Sequence, residues 1–549
     1  MNAWLANRVW QGANHREATA FAAALQQPRE AQEAKLRAYL RTNAATAFAR
    51  EHGLTESTTM DEFRHRVPAR SYAEFVRYID RIATGEKAVL TAAAVEMLTP
   101  TSGSTGAEKL IPRTPALRSE FASALAPWIN DLFEQDPSLR DGPAYWSISP
   151  VGAQTARHRG VVPIGFGDDD EYLSPLGRWV ASGVKAVPSD VARIRSMENW
   201  RYATLLSLLR CRSLRMVSVW HPSFFGLLLD ALPEWWDRLL RDLRNGQVSP
   251  PAGGDVPRRL IAHPDISRAA ELSHISPADA PGIWPALRMV SCWADGPAAP
   301  HARALEHRLG GITVQGKGLL ATEAFVTIPY RGLHPVALRS HLVELEDEHG
   351  KMHSLSQARE GETYVPVITT GGGLWRYRLP DRVVVDGFVG RTPSLRFIGR
   401  ADATSDLRGE KLSDAFVGGI LATCAQHASL QPRFSALATI DTHLCPQMPT
   451  AAGYLWIVDV EGLIDTCAAA IEAGLCANPH YRYARQLGQL NPVRAMRVNA
   501  DLVRRALEQV RPPAHAAGAV KPMWIYTGRA AQVLARASEG TNHAPHSTK

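Results

Sequence analysis

The sequence predicts a mixed α/β fold, a large N-terminal domain followed by a small α+β C-terminal domain. Three observations predict it. Strand-like runs at 216–220, 288–293 and 311–315 are separated by helical or loop material, the alternation that builds α/β layers. From Glu362 the character changes to short β segments divided by glycine and proline. After Arg400, helical patterns return around one more strand-like run at 451–459.

The elements follow in order. Residues 16–50 place Ala and Leu at helical spacing, and Pro28 splits them into two helices. Another helix is expected over 72–83. The stretch 117–126 reads as a helix that bends or ends at Pro127. The run 246–257 (GQVSPPAGGDVP) has the composition of a linker, but helical segments flank it, so a surface loop and a domain boundary both stay open. Segments 364–368, 374–378, 383–385 and 395–398 form a small antiparallel region. Beyond it come helices at 413–427 and 501–510. The expected boundaries are 1–399, 400–537 and a small, polar, disordered tail, 538–549. No internal repeat is visible.

Composition narrows the function classes. A chain of 549 residues with 45% hydrophobic and 21% charged residues is a globular protein, with room for roughly two to four domains. The formal charge of +7 is modest, and the basic residues are scattered, as in 235–244 (WWDRLLRDLR). That pattern suits solvated helix faces and small anionic substrates, not a nucleic-acid stripe. Cys211, Cys292, Cys424, Cys445, Cys467 and Cys476 form neither a Cys-x-x-Cys pair nor a zinc spacing, which fits free thiols in a reducing cytosol. Polar residues interrupt the N-terminus before a signal peptide could form, and no run reaches the ~18 apolar residues of a membrane span. A cytoplasmic protein without membrane or nucleic-acid partners is expected.

The most informative stretch is 99–109 (TPTSGSTGAEK). Gly103 and Gly106 let the backbone approach an anion closely; Ser102, Ser104 and Thr105 supply hydroxyls, and Lys109 adds a positive charge. Such a loop holds phosphate, although a Ser/Gly-rich turn is the plainer reading of the cluster alone. Gly106 is followed by Ala107 and Glu108 before Lys109, which is not the P-loop spacing. Gly103 directly precedes Ser104, so a hydrolase elbow is absent too.

Four later segments accompany this loop in order: 317–323 (KGLLATE), 369–388 (TTGGGLWRYRLPDRVVVDGF), 395–402 (LRFIGRAD) with 409–412 (GEKL), and 518–522 (GAVKP). Together with the lead-in Phe63, Val67, Pro68, Tyr72, Gly85 and Glu86, they resemble the auxin-type acyl-acid amido synthetases, a branch of the acyl-adenylate-forming ligases. The resemblance spans nearly the whole chain. It implies an N-terminal adenylate-forming domain of β-sheets with a β-barrel-like subdomain flanked by helices, and a mobile α+β C-terminal domain. It further implies ATP and Mg²⁺ as cofactors, and a small carboxylic acid and an amine or amino acid as substrates.

The resemblance assigns roles that the residue chemistry allows. Glu323 would bind Mg²⁺, a hard cation that takes a carboxylate plus substrate phosphates. Thr322 would donate to a phosphate or acyl oxygen. Asp381 offers two acceptors to the ribose hydroxyls, and Arg400 forks across ribose and phosphate oxygens. Lys521 would neutralise charge on the α-phosphate and the attacking carboxylate. Taken singly, these residues read more plainly as a helix start, a cap, a turn residue, a surface ion pair and a solvated lysine; their ordered co-occurrence carries the assignment. Trp220, Phe224, Phe225 and Tyr172 fall where relatives shape the acid and acceptor sites, with ordinary core packing as the other reading. The acidic run 168–171 suits an amine, a metal or a solvated loop. His221 has no nucleophilic partner in sequence and is given no catalytic role.

Two positions depart from the pattern. Leu319 stands where relatives place an aromatic ring, and Pro380 where a glycine precedes the ribose Asp. The expected activity is ATP-dependent acylation of an amine through an acyl-adenylate. A coenzyme A ligase using the same intermediate and a non-catalytic nucleotide-binding protein are the alternatives.

Overall fold

The structure, a computed structural model, describes residues 2–100, 109–147, 157–158, 160–164, 183–194, 196–254, 257, 260, 263–400, 404–405, 407–408, 410, 412–440, 452–461, 464–486, 490–510 and 523–539. The N-terminal helices are Ala3–Ala24, Pro28–Asn43 and Ala47–Glu51, with Pro28 opening the second at a position that needs no N–H partner. The helix Pro115–Gln135 runs through Pro127 and does not end there. Every residue from Ala126 to Phe133 is buried, so tertiary packing outweighs the local cost of proline.

Four sheets carry the architecture. In the first, β1 (Met97–Pro100) and β2 (Leu110–Arg113) pair antiparallel, with β5 (Pro163–Ile164) and β4 (Arg157–His158) beyond β1. Pro100 faces Leu110, so the 101–109 stretch connects the two strands of a hairpin. The second sheet is fully parallel, in the order β3 (Ala144–Trp146), β6 (Met216–Ser218), β7 (Met289–Cys292), β8 (Thr313–Gly316). Its last three strands are the three predicted from the alternating pattern.

The third sheet is antiparallel: β10 (Met352–His353), β9 (Leu342–Glu346), β11 (Thr363–Thr369), β13 (Asp381–Val389) and β14 (Thr392–Arg400), with β12 (Tyr377–Arg378) also on β11. The expected barrel-like closure is not seen among the described residues; β10 and β14 are the ends of an open sheet. The short pair β15 (Thr404–Ser405) and β16 (Leu412–Ser413) leads into the C-terminal sheet, ordered β19 (Arg494–Arg497), β18 (Gly453–Asp459), β17 (Phe434–Ile440), β20 (Ile525–Tyr526).

Alternation along β17 and β18 splits this last sheet between two cores. Leu437, Tyr454, Trp456 and Val458 pack with the helices Asp414–His427 and Ile464–Leu475, while Ala436, Ala438, Leu455 and Ile457 join Val503 and Leu534 on the other face. The helix Gly528–Glu539 extends two residues into the stretch expected to be a tail. The linker-like run after Gly246 is tied to the helix Met197–Arg210: the Asn199 side chain accepts from Ala252 N at 3.2 Å and donates to Gly253 O at 2.6 Å. No helix among the described residues is long and apolar enough to cross a membrane.

Candidate active site

Parallel strands bring their carboxyl ends to one edge, and open α/β sheets bind ligands outside that edge. Here the edge carries Trp146, Ser218, Cys292 and Gly316, followed by Trp220, Trp293 and Lys317. Lys317, given no role by the sequence reading, is buried there. Its Nζ donates to Ser218 Oγ at 2.7 Å and lies 4.8 Å from the Trp128 ring and 5.9 Å from that of Trp220. Gln315 Oε1 accepts the Trp128 indole N–H at 2.9 Å and fixes that ring. Burial pushes the neighbouring Cys292 thiol up to about 12, against the pull of the Lys317 charge, so it stays neutral. A lysine between two glycines at a strand end was the available signal.

Past β8 the chain turns sharply. Gly318 has φ +70°, and a Cβ there would lie 2.4 Å from Thr327 Oγ1, so the position requires glycine. Leu320 bridges to Phe325, and Ala321 N donates to Ala324 O at 3.0 Å, which puts Thr322 and Glu323 at the tip of a tight turn. Glu323 is buried and starts no helix; Thr322 is half-buried. Leu319 packs into the core, and its N–H donates to Thr327 Oγ1 at 2.7 Å.

Asp381 and Arg400 begin and end the β13–β14 hairpin as cross-strand partners, with Nη1 3.7 Å from the carboxylate. Asp381 is 2% exposed. Just beyond, Asp414 opens a helix and its Oδ1 accepts the N–H groups of Trp524 at 2.6 Å and Ile525 at 3.0 Å. Burial pushes the Asp414 carboxyl up to about 6 despite these bonds and the nearby Arg400 charge.

Much of the 369–388 signature is structural. Gly371 N donates to the buried Glu120 carboxylate at 2.8 Å and Gly371 O accepts from Thr114 at 3.1 Å; a Cβ on Gly372 would sit 2.8 Å from Pro112 O. The glycines dock the signature onto β2 and the helix behind it. Trp375 stacks on Phe48, and Arg376 reaches Glu344 Oε2 at 2.8 Å and Val67 O at 2.6 Å, which explains why the lead-in around Val67 accompanies the signature.

Lys109 is half-buried at the start of β2, its Nζ 6.0 Å from the Tyr72 ring. Trp220 is half-buried at the strand edge and packs 5.9 Å from Trp293. Phe224 and Phe225, on the helix Pro222–Asp230, pack against Trp200 and Trp284 in the core beneath. His221 and His301 lie 5.0 Å apart, ring to ring, and burial with the Arg433 charge lowers His301 to about 4. Ser102, Gly103, Ser104, Thr105, Gly106, Tyr172, the 168–171 run and Lys521 lie outside the described residues.

Comparison with known proteins adds to this geometry. The chain matches the GH3 family N-terminal domain over residues 17–314 and the GH3 family central domain over residues 338–400. It is 27% identical over 439 residues, 70% of this chain and 71% of the relative, to the probable indole-3-acetic acid-amido synthetase GH3.12 of Oryza sativa subsp. japonica. It is 24% identical over 515 residues, 84% of this chain and 82% of the relative, to the indole-3-acetic acid-amido synthetase GH3.8 of Oryza sativa subsp. indica. In fold it matches the structure of AtGH3.15 acyl acid amido synthetase in complex with 2,4-DB, with a TM-score of 0.82 at 18% identity, covering 94% of this chain and 95% of that one.

Proposed function

Because the chain belongs to the GH3 family, its N-terminal domain matching over residues 17–314, we propose that it adenylates a small carboxylic acid with ATP and passes the acyl group to the amine of an amino acid. It is an acid–amino acid ligase of the acyl-acid amido synthetase kind. The observation that carries the reading is the ordered match to both family domains, 17–314 and 338–400.

The chemistry answers a plain need: a carboxylate is a poor electrophile. One of its oxygens attacks the α-phosphorus of ATP and pyrophosphate leaves; the amine nitrogen then attacks the activated carbonyl, and AMP leaves with the bonding pair. The 101–109 stretch, with Ser102, Gly103, Ser104, Thr105, Gly106 and Lys109, would hold the β- and γ-phosphates, a role supported by its place between paired strands. Asp381 and Arg400 would take the ribose. Thr322 would donate to the phosphate or acyl oxygen.

Glu323 would hold Mg²⁺ together with substrate phosphates. A single buried carboxylate on a tight turn suits that hard cation, which needs no all-protein cage, and among the described residues no group of three or more His, Cys, Asp or Glu side chains forms one. When bound, the ion would supply charge neutralisation at the phosphates. Trp220, backed by Phe224 and Phe225 and joined by Tyr172, would line the acid pocket.

We read 1–399 as the ATP- and acyl-binding domain and 400–537 as a mobile domain that brings Lys521 to the α-phosphate. Support comes from the separate cores on the C-terminal sheet and from the hairpin ending at Arg400. Closure and rotation would order the two half-reactions. Dependence on ATP supports a cytoplasmic setting.

The test is acid-dependent exchange of labelled pyrophosphate into ATP across a panel of carboxylic acids, with mass spectrometry of products formed with amines or coenzyme A. Exchange with an acid and an amide product are expected, with exchange lost in Lys521→Ala. No exchange with any acid refutes adenylation, and a thioester product replaces the amide reading.

A further inference from the structure

We propose that His341 is a positioning residue for the reaction, holding the turn that presents Thr322 and Glu323 by accepting the Phe325 N–H. The inference rests on the ligase reading above, with Glu323 as the Mg²⁺ ligand. His341 is wholly buried, one residue before β9, and its Nε2 accepts from Phe325 N at 3.2 Å. Phe325 closes the turn as the bridge partner of Leu320, two residues after Glu323. The bond to His341 therefore ties the turn to the sheet beside it.

A backbone N–H can only donate, so Nε2 is the bare nitrogen and the ring proton sits on Nδ1. Nδ1 lies 3.0 Å from Glu120 Oε2, and a carboxylate on that side favours this tautomer. Glu120 is itself fixed. Its Oε1 accepts from the Tyr39 hydroxyl at 2.5 Å, with Lys35 Nζ 3.7 Å away, and its Oε2 accepts from Gly371 N at 2.8 Å. The backbone around His341 is held as well: Gln32 Nε2 donates to His341 O at 2.9 Å, and Ser340 Oγ donates to Glu120 O at 2.8 Å. The ring of Phe121 meets those of Phe325 and His341 edge-on, at 4.8 Å and 5.8 Å.

Glu120 thus joins three segments that carry the site. They are the helix Pro115–Gln135 that follows β2, the signature at Gly371 and, through His341, the Glu323 turn. A carboxylate that shares a cation with substrate phosphates must keep its spacing from the stretch that holds those phosphates, and a displacement of about 1 Å can cost on the order of 100-fold in rate. The His341 link sets that spacing through groups that touch no substrate.

The test compares His341→Gln with His341→Asn. Both carry a carboxamide, but the longer side chain brings its oxygen near the place of Nε2 and the shorter one reaches only that of Nδ1. Two readouts are taken: hydrogen–deuterium exchange of the peptide containing Phe325 in the metal-free protein, and acid-dependent exchange of pyrophosphate into ATP titrated with Mg²⁺. In His341→Asn, amide exchange in that peptide is expected to speed up on the order of tenfold, the worth of one hydrogen bond, while the maximal rate falls about as much, the Mg²⁺ midpoint rises and KM for the acid stays within about twofold. His341→Gln, which keeps the acceptor, is expected to stay within about threefold of the wild type in each. A merely structural role would lower the melting temperature of both variants and leave the Mg²⁺ midpoint unmoved. Equal behaviour of the two variants, or an unmoved midpoint in His341→Asn, overturns the assignment while leaving the ligase reading intact. A wild type inactive with every acid refutes the ligase reading, and the amide exchange still decides whether His341 holds the turn. His341→Leu, of similar volume and without an acceptor, takes the place of the asparagine variant if that one does not fold.

Discussion

Asp381 and Arg400 stand opposite each other at the two ends of one hairpin, 3.7 Å apart, with Asp381 buried. Nineteen positions separate them in the chain, yet the β13–β14 register makes them a pair at the exit to the C-terminal region. Asp381→Asn and Arg400→Ala are each expected to raise KM for ATP on the order of tenfold, and the double variant less than the product, because the two side chains act as a unit. Initial rates of the exchange assay measure this; independent, multiplicative effects would dissolve the pair.

Glu323 is buried at the tip of the Leu320–Phe325 turn, and glutamine there keeps the size of the side chain while removing its charge. Glu323→Gln is expected to lower the exchange rate on the order of 100-fold and to raise the Mg²⁺ concentration needed for half-maximal rate. A magnesium titration of the variant decides the matter, since an unchanged midpoint would remove Glu323 from the metal site.

Asp414 gives a pH dependence whose sign follows from its burial. Its folded pKa of about 6 exceeds the ordinary aspartate value of 3.8, so the folded state holds the proton more tightly. The stability this contributes is full below the ordinary value and is lost as pH rises through about 6, a change of up to about 3 kcal/mol. Asp414→Asn keeps an oxygen acceptor for Trp524 and Ile525 and cannot ionise. Denaturant unfolding between pH 4 and 8 is expected to show the variant gaining on the wild type as pH rises; parallel curves would refute the shift.

Gly318→Ala tests the turn that presents Thr322 and Glu323. The residue adopts φ +70°, and its Cβ would press on Thr327 Oγ1 at 2.4 Å and His334 at 3.0 Å. A cost of about 1–3 kcal/mol is expected from backbone strain alone, read as a lower melting temperature together with weakened exchange. Gly332→Ala serves as a comparison, having positive φ but nothing within 4 Å of its Cβ, and should cost less.

Some of this was legible in the chain. The runs at 216–220, 288–293 and 311–315 announce strands because apolar and β-branched residues cluster locally, and β6, β7 and β8 lie within or against them. The motifs around Glu323, Asp381 and Arg400 are legible because each keeps its chemistry in a few adjacent residues. Pro127 misled for the same local reason: its effect on an isolated helix is visible in sequence, while the burial of Ala126–Phe133 that holds the helix together is not.

What only the tertiary structure decided depends on register between distant segments. Lys317 meets Ser218 across 99 positions, and Asp414 meets Trp524 across 110, through strand pairings and packing that no local pattern encodes. The same holds for Gly371 and Gly372, which dock against Glu120 and Pro112. Sequence by itself determined the layers, the order of the motifs and the chemistry each residue can offer. The fold decided which of those residues share a site, because hydrophobic burial and strand register bring side chains together according to space and not to position in the chain.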